Sequence, residues 1–137
     1  SCALGVSQAT RLREILDMRE DVANRYTKRL SSIPGVTVPF KADYAKMSWF
    51  IYVIRLDQGI ERDSVMEQLI ENGIGCRPYF TPIHLQPYMR KTFGYQEGDY
   101  PITERVAEST IALPFFNHIS DEQMEYVAEN LEKAIKK

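Results

Sequence analysis

The chain has 137 residues, 44% hydrophobic and 26% charged, which fits one ordinary folded domain and excludes disordered, collagen-like and low-complexity chains. Seventeen lysine and arginine residues against 19 aspartate and glutamate residues give a net charge of −2, too balanced for a typical nucleic-acid-binding surface. The longest apolar run, Trp49–Ile54, is far shorter than the ~20 residues of a membrane helix. We therefore predict a cytoplasmic protein that binds neither nucleic acid nor a membrane.

The N-terminal segment predicts one long amphipathic helix over Ser7–Ser32, because its apolar residues recur at intervals of three and four. Pro34 and Gly35 end this helix. It would span ~39 Å in a domain whose radius of gyration is only ~14 Å, so we expect another structure to pack on it. Small apolar residues begin abruptly at Ala3, and we expect the chain to be a piece of a longer one.

Strands and a helix are predicted for the middle of the chain. The first two strands are Val36–Phe40 and Met47–Leu56, and the second is so apolar that we expect an interior strand covered on both faces. A helix over Glu61–Asn72, with Gly73 as the left-handed residue after it, leads to a third strand, Ile74–Phe80. This connection predicts that the second and third strands run parallel, with the first strand between them and antiparallel to both.

The C-terminal part combines an irregular segment with two predicted helices. Arg77–Met89 contains too many prolines for a regular element, and Gly94–Pro101 is predicted to be a loop. A helix is predicted over Ile102–Leu113, and a last helix begins at Ser120, which forms a capping box with Gln123. The order of elements predicts an α+β domain with a small three-stranded sheet.

No motif of a self-contained active site is found in the sequence. Nucleotide-binding glycine loops, zinc-protease motifs and glycine-flanked nucleophilic serines are absent. The two cysteines and two histidines show no metal-ligand spacing, so we predict no metal. An imine-forming lysine needs a pKa that is lowered by burial or by a cationic neighbour, and none of the seven lysines lies in a segment that is expected to be buried. We therefore predict no catalytic residue in this chain.

The segment Arg77–His84 is where polar side chains coincide with a proline-restrained backbone. Arg77 could bind a carboxylate or a phosphate, Tyr79 could stack or donate a hydrogen bond, and His84 could contact phosphate or relay protons. The alternatives are an arginine paired with a surface carboxylate, a packed tyrosine and a loop histidine whose hydrogen bonds are satisfied. The residues alone leave both interpretations open.

The order of several motifs resembles the C-terminal small domain of the DegT family. These motifs are ALGVSQ at residues 3–8, GIGCRPYFTPIHLQP at 73–87 and the join from ALPFF to ISDEQ at 112–123. The family consists of pyridoxal-phosphate-dependent aminotransferases of nucleotide-sugar biosynthesis with the fold-type I architecture. The resemblance covers essentially the whole chain.

The resemblance implies that residues 1–137 are the small domain of a longer protein. A large domain before residue 1 would bind the pyridoxal phosphate and supply the Schiff-base lysine, so this chain alone would not be an enzyme. The parent would transfer an amino group, usually from glutamate, to a keto-sugar nucleotide for cell-surface polysaccharide or antibiotic sugars. By match to the motif, Tyr79, Pro82, His84 and Arg77 would face the substrate.

The resemblance also implies a homodimer, in which the large domain and a second subunit pack on the helix within residues 1–32.

Two alternative functions stay open. One is a pyridoxal-phosphate-dependent sugar dehydratase of the same family. The other is a free-standing regulatory or ligand-binding α+β domain whose aromatic loop recognises a small molecule.

Overall fold

The N-terminal helix is divided in two in the computed structural model, which describes residues 2–136. Helix α1 spans Cys2–Thr10 and helix α2 spans Leu12–Leu30. The prediction of one helix over 7–32 is wrong at both ends and in continuity, because Arg11 leaves the helical conformation, with φ −100° and ψ 5°. Helix α1 buries no side chain, whereas the second half of α2 buries four. Only α2 is therefore anchored by the core of this domain.

The sheet has four strands, one more than predicted. They are β1 at Val36–Thr37, β2 at Tyr52–Leu56, β3 at Arg77–Pro78 and β4 at Thr110–Leu113, in the order β1-β2-β4-β3. Every neighbouring pair is antiparallel. Consequently β2 and β3 run in the same direction, as predicted, but the strand between them is β4, and β1 lies at the edge.

The central strand β4 lies where a helix was predicted. The predicted helix over 102–113 is wrong in its last four residues, since helix α5 spans Pro101–Ser109 and the chain is extended from Thr110. Thr110 and Ile111 are β-branched and buried, and pairing of Ile111 with Ile54 on β2 satisfies the backbone there. Residues that continue an apolar helical pattern thus serve as a strand because a partner strand is available.

Strands β1, β2 and β3 are shorter than predicted. Of the predicted strand 47–56 only Tyr52–Leu56 is paired, and Val36–Thr37 and Arg77–Pro78 are two-residue edge strands. Strand β2 was also expected to be covered on both faces, which is wrong. Tyr52, Ile54 and Leu56 are buried and Arg55 is exposed, so one face packs and the other is open.

The remaining elements are short helices around the sheet. Helix α3 spans Arg62–Glu71, a single 3-10 turn spans Ile83–Leu85, α4 spans Pro87–Phe93 and α6 spans Asp121–Ile135. Segment 77–89, predicted to be irregular, thus contains a 3-10 turn and the start of a helix, because proline is well tolerated at a first helical position. Two local predictions are confirmed: Gly73 has φ +75°, and Ser120 and Gln123 form the capping box of α6.

The core lies between helices α2, α3 and α6 and the packed face of the sheet. Helix α2 is joined to the sheet by two buried tyrosines whose rings stack with centroids 5.1 Å apart. Tyr26 Oη donates to the Pro114 carbonyl oxygen at 2.9 Å, and Tyr52 Oη is 2.8 Å from Thr27 Oγ1. Within residues 2–136, no helix is long and apolar enough to cross a membrane.

Candidate functional site

The motif segment leaves the sheet at strand β3 and turns sharply at Phe80. Arg77 and Pro78 pair with Ala112 and Ile111 of β4. Phe80 then has φ +54°, and it is the one non-glycine residue within 2–136 with a positive φ. Such a conformation costs roughly 1–2 kcal/mol for a residue with a side chain. Backbone strain is therefore concentrated in the segment that the sequence motif marks.

His84 ends this segment and is held by a carboxylate. Its Nε2 lies 2.8 Å from Oε1 of Glu104, and the two side chains are only 7% and 12% exposed. Glu104 also accepts hydrogen bonds from the Gly98 backbone N–H, at 3.0 and 2.8 Å, and from the Tyr100 N–H at 3.1 Å. The pair thus ties the motif segment to the loop before helix α5.

The backbone donors settle the charge of Glu104. The Gly98 N–H, and then the His84 hydrogen bond and the Tyr100 N–H, hold the pKa of this carboxyl below its ordinary value, although desolvation acts in the opposite direction. Glu104 is therefore ionised at neutral pH and can only accept hydrogen bonds. The Nε2 atom of His84 must then carry a proton.

The other ring nitrogen of His84 is available. Nδ1 has no hydrogen-bond partner within residues 2–136, and this atom is not fully buried. It therefore keeps access to solvent, although little of the side chain is exposed. One side of the imidazole is occupied by Glu104, and the other side can accept or donate a hydrogen bond.

Aromatic side chains surround the histidine. The Tyr100 ring lies 4.8 Å from the imidazole and the Tyr95 ring lies 6.4 Å from it, both as centroid distances. Contacts then continue from Tyr95 to Phe93 and from Phe93 to Tyr88. Tyr95 and Tyr100 therefore pack around His84, and Phe93 and Tyr88 extend this aromatic cluster outwards.

The other three predicted site residues lie on the same segment but in different surroundings. Arg77 is exposed on the edge strand and makes no ion pair with another residue of 2–136. Tyr79 is half-buried, with its ring 4.7 Å from that of Phe80. Pro82 is half-buried and lines a cavity of about 210 Å³ together with Phe80 and Glu104. The segment thus presents a free cation, an aromatic edge and a small cavity.

Sequence reasoning missed Phe80 and Glu104. The positive φ of Phe80 cannot be inferred from a residue type that rarely adopts it. Glu104 follows Pro101 in the first turn of a helix, where an acidic residue is ordinary, and its partner His84 is 20 residues away in the chain. The contact between a histidine and a glutamate 20 residues apart cannot be inferred from a local sequence pattern.

Two larger cavities are lined by residues other than the four predicted site residues. One cavity of about 740 Å³ lies between the β2–α3 connection and helix α5, and arginines and acidic residues line it in similar numbers. Another of about 440 Å³ is mostly apolar and lies beside the start of helix α6. Neither contains a residue of the predicted site. No cluster of three possible metal ligands is found within residues 2–136.

The described residues do not fit the covalent site of pyridoxal phosphate. The cofactor requires a lysine whose amine is shielded or placed beside another cation. All six lysines of residues 2–136 are exposed, and Lys137, the seventh, lies outside the described residues. None of these six lysines therefore has the shielded amine that the covalent link to the cofactor requires.

The fold and the motif segment together define an α+β domain of the aminotransferase type, and comparison with known proteins identifies the family. The chain belongs to the DegT/DnrJ/EryC1/StrS aminotransferase family, which it matches over residues 1–132. The resemblance predicted from the sequence is thus confirmed.

Two curated relatives and one solved structure illustrate the similarity. The chain is 34% identical to the spore coat polysaccharide biosynthesis protein SpsC of Bacillus subtilis over 98% of this chain and 36% of SpsC. It is 30% identical to the dTDP-4-dehydro-2,3,6-trideoxy-D-glucose 4-aminotransferase of Saccharopolyspora spinosa, over 98% of this chain and 34% of that enzyme. The aminotransferase TlmJ of Streptoalloteichus hindustanus superimposes with a TM-score of 0.82 at 28% identity, covering 96% of this chain and 35% of TlmJ.

These comparisons confirm the predicted fold class. The chain has the α+β fold of the corresponding part of fold-type I aminotransferases. It spans about a third of the length of the relatives that it matches.

Proposed function

We propose that residues 1–137 form the C-terminal small domain of a longer aminotransferase that transfers an amino group from glutamate to a keto-sugar nucleotide. The observation that carries the proposal is the family match over residues 1–132, combined with coverage of only about a third of each relative. The names of the two relatives add support, since one acts in polysaccharide biosynthesis and the other is a dTDP-sugar 4-aminotransferase. The product would be an amino sugar for a polysaccharide or an antibiotic.

The cofactor of this parent enzyme is pyridoxal phosphate, bound by the large domain. It supplies the electron sink that amino transfer requires, and the protein orients it and the substrate. The exposed lysines of this domain support placing the Schiff-base lysine elsewhere in the protein. The role of the small domain is then to bind and orient the sugar nucleotide.

We assign that binding role to Arg77, Tyr79, Pro82 and His84. Arg77 offers an unpaired guanidinium that suits the diphosphate of a nucleotide sugar. His84 offers the Nδ1 lone pair to a substrate hydroxyl. The Tyr79 ring packs against Phe80, and Pro82 lines the small cavity that Glu104 also lines. Prolines restrain the segment, so little entropy remains to be lost when substrate binds.

The N-terminal helices support the proposed contacts with the large domain and with a second subunit in a homodimer. Leu4, Val6 and Leu12 are each more than half exposed, and α1 buries no side chain in this domain. An apolar helix face of this kind is expected to be covered in a complete protein. We place the complete enzyme in the cytoplasm; cell fractionation and light scattering of the full-length protein test its location and its dimeric state.

The site assignment is tested by half-reactions of the full-length enzyme measured by stopped flow. His84→Ala should lower kcat/KM for the keto-sugar about 2- to 13-fold, the equivalent of one neutral hydrogen bond from a substrate hydroxyl to Nδ1. The absorption spectrum of the bound cofactor and the glutamate half-reaction should stay unchanged. Arg77→Ala should also impair the sugar step, and it would slow the glutamate step only if Arg77 binds the donor carboxylate.

Arg105→Ala is the matched control, because this exposed arginine of helix α5 is outside the motif segment and makes no hydrogen bond to His84. It should leave both half-reactions unchanged. A loss of thermal stability without any kinetic effect in His84→Ala would show that the histidine is only a structural residue. Release of a dehydrated sugar in place of an amino sugar would identify the parent as a dehydratase.

A further inference from the structure

The carboxylate of Glu104 is held more firmly than a surface glutamate would be. One oxygen accepts from His84, and the Gly98 and Tyr100 backbone N–H groups donate to the same carboxylate. Oε1 accepts from His84, Gly98 and Tyr100, Oε2 accepts from Gly98, and the side chain is only 12% exposed. The group is therefore fixed before any ligand arrives.

This fixed carboxylate determines how the imidazole of His84 is presented. An ionised carboxylate only accepts hydrogen bonds, so Nε2 of His84 is the protonated nitrogen in the 2.8 Å contact. In the neutral ring Nδ1 is then the acceptor, and it is the nitrogen that keeps access to solvent. The Tyr100 ring, 4.8 Å away, limits rotation of the imidazole.

We propose that Glu104 is a positioning residue that acts through His84, fixing its Nε2–H tautomer and directing Nδ1 towards the sugar-nucleotide substrate. The inference rests on the proposed function of His84 and adds a residue to which neither the motif nor the comparisons assign a role. Glu104 does not touch the substrate; it holds the group that does. A fixed tautomer ensures that the lone pair of Nδ1 meets a hydroxyl donor without a preceding rearrangement.

The geometry also connects two separate parts of the chain. Because Gly98 and Tyr100 donate to the same carboxylate, loop 94–101 and segment 77–84 cannot move independently while the pair is intact. Phe80 and Pro82 line the cavity next to Glu104, so their placement depends on the same contact. Loss of the negative charge should therefore reduce the order of the whole segment.

Glu104→Gln in the full-length enzyme is the test, because it preserves shape and removes the charge. The amide cannot accept every bond that the carboxylate accepts, since its nitrogen is itself a donor. We expect kcat/KM for the keto-sugar to fall several-fold, by no more than in His84→Ala, with the glutamate half-reaction unchanged. Glu67→Gln is the matched control: this glutamate is exposed on helix α3, makes no hydrogen bond to His84, does not line the cavity of Pro82, and should leave both half-reactions unchanged.

Two further measurements separate positioning from simple structural support. In the double variant His84→Ala, Glu104→Gln, the sugar half-reaction should be no slower than in His84→Ala alone, because Glu104 acts through that histidine. Nitrogen NMR of labelled histidine should show Nε2 protonated in the unmodified enzyme and a mixture of tautomers in Glu104→Gln. The mixture would not result from a change in stability alone.

Each alternative outcome overturns a specific statement. If His84→Ala leaves the sugar step unchanged, the proposed substrate role of the segment is wrong, and with it the role of Glu104. If His84→Ala impairs the sugar step and Glu104→Gln does not, only the positioning role is wrong. Additive effects in the double variant, equal losses in both half-reactions, or an Nδ1–H tautomer in the unmodified enzyme would also overturn it.

Discussion

Tyr26→Phe tests how helix α2 is anchored to the sheet. The change removes the hydroxyl that donates to the Pro114 carbonyl at 2.9 Å, in a side chain with no exposed surface. The lost bond and the carbonyl left without this donor should together cost about 1–3 kcal/mol. That is a large share of the 5–15 kcal/mol that typically stabilises a domain.

The matched control is Tyr126→Phe. The Tyr126 hydroxyl makes a similar bond to a backbone carbonyl, that of Asn72, at 3.2 Å, but its side chain is 49% exposed. Water can replace that bond, so the control should cost less than about 0.5 kcal/mol.

Urea unfolding followed by tryptophan fluorescence gives the difference directly. The single tryptophan, Trp49, is buried with its ring 5.8 Å from that of Tyr52, so its emission reports on this part of the core. With an m value of about 2 kcal/mol/M, the midpoint for Tyr26→Phe should fall by roughly 0.5–1.5 M. Equal midpoints for the two variants would refute the account of this anchor.

Two further predictions concern the same core. Gly35→Ala should destabilise the domain by about 1 kcal/mol more than Gly59→Ala, as measured by urea unfolding, because overpacking is added to backbone strain. Both glycines have a positive φ, but a Cβ on Gly35 would lie 2.5 Å from Ile60 Cδ1 and one on Gly59 would meet nothing within 4 Å; equal losses would contradict this. Burial raises the pKa of Tyr52 from 10.0 to about 12, so the stability that this neutral phenol contributes is complete below pH 10 and is lost as the pH rises towards 12. Tyr52→Phe should weaken that alkaline loss of unfolding free energy, and an identical pH profile in the variant would show that the phenol does not contribute.

Elements that are determined by residues close together in the chain could be predicted from the sequence. The apolar face of α2, the capping box at Ser120 and the left-handed Gly73 each depend on neighbours within about one helical turn. The break at Arg11 could not be predicted, because arginine is a good helix former and the apolar pattern continues across it.

The sheet order depends on contacts between distant residues. Thr110–Leu113 continues the pattern of helix α5, and only its pairing with β2, more than 50 residues earlier, shows that it is a strand. The candidate site has the same limit. The motif located Arg77, Tyr79, Pro82 and His84 on one segment. The carboxylate that holds His84 belongs to a helix 20 residues later, and no sequence pattern connects the two residues.

We propose that the full-length protein aminates a keto-sugar nucleotide, and this proposal can be tested on the product itself. The most direct measurement is mass spectrometry of the sugar after incubation of the full-length protein with pyridoxal phosphate, glutamate and a panel of dTDP- and UDP-linked keto-sugars. The account predicts an amino sugar nucleotide formed in step with 2-oxoglutarate, and formed more slowly by His84→Ala. A dehydrated sugar, or no conversion of any keto-sugar by a protein that binds the cofactor, would contradict it.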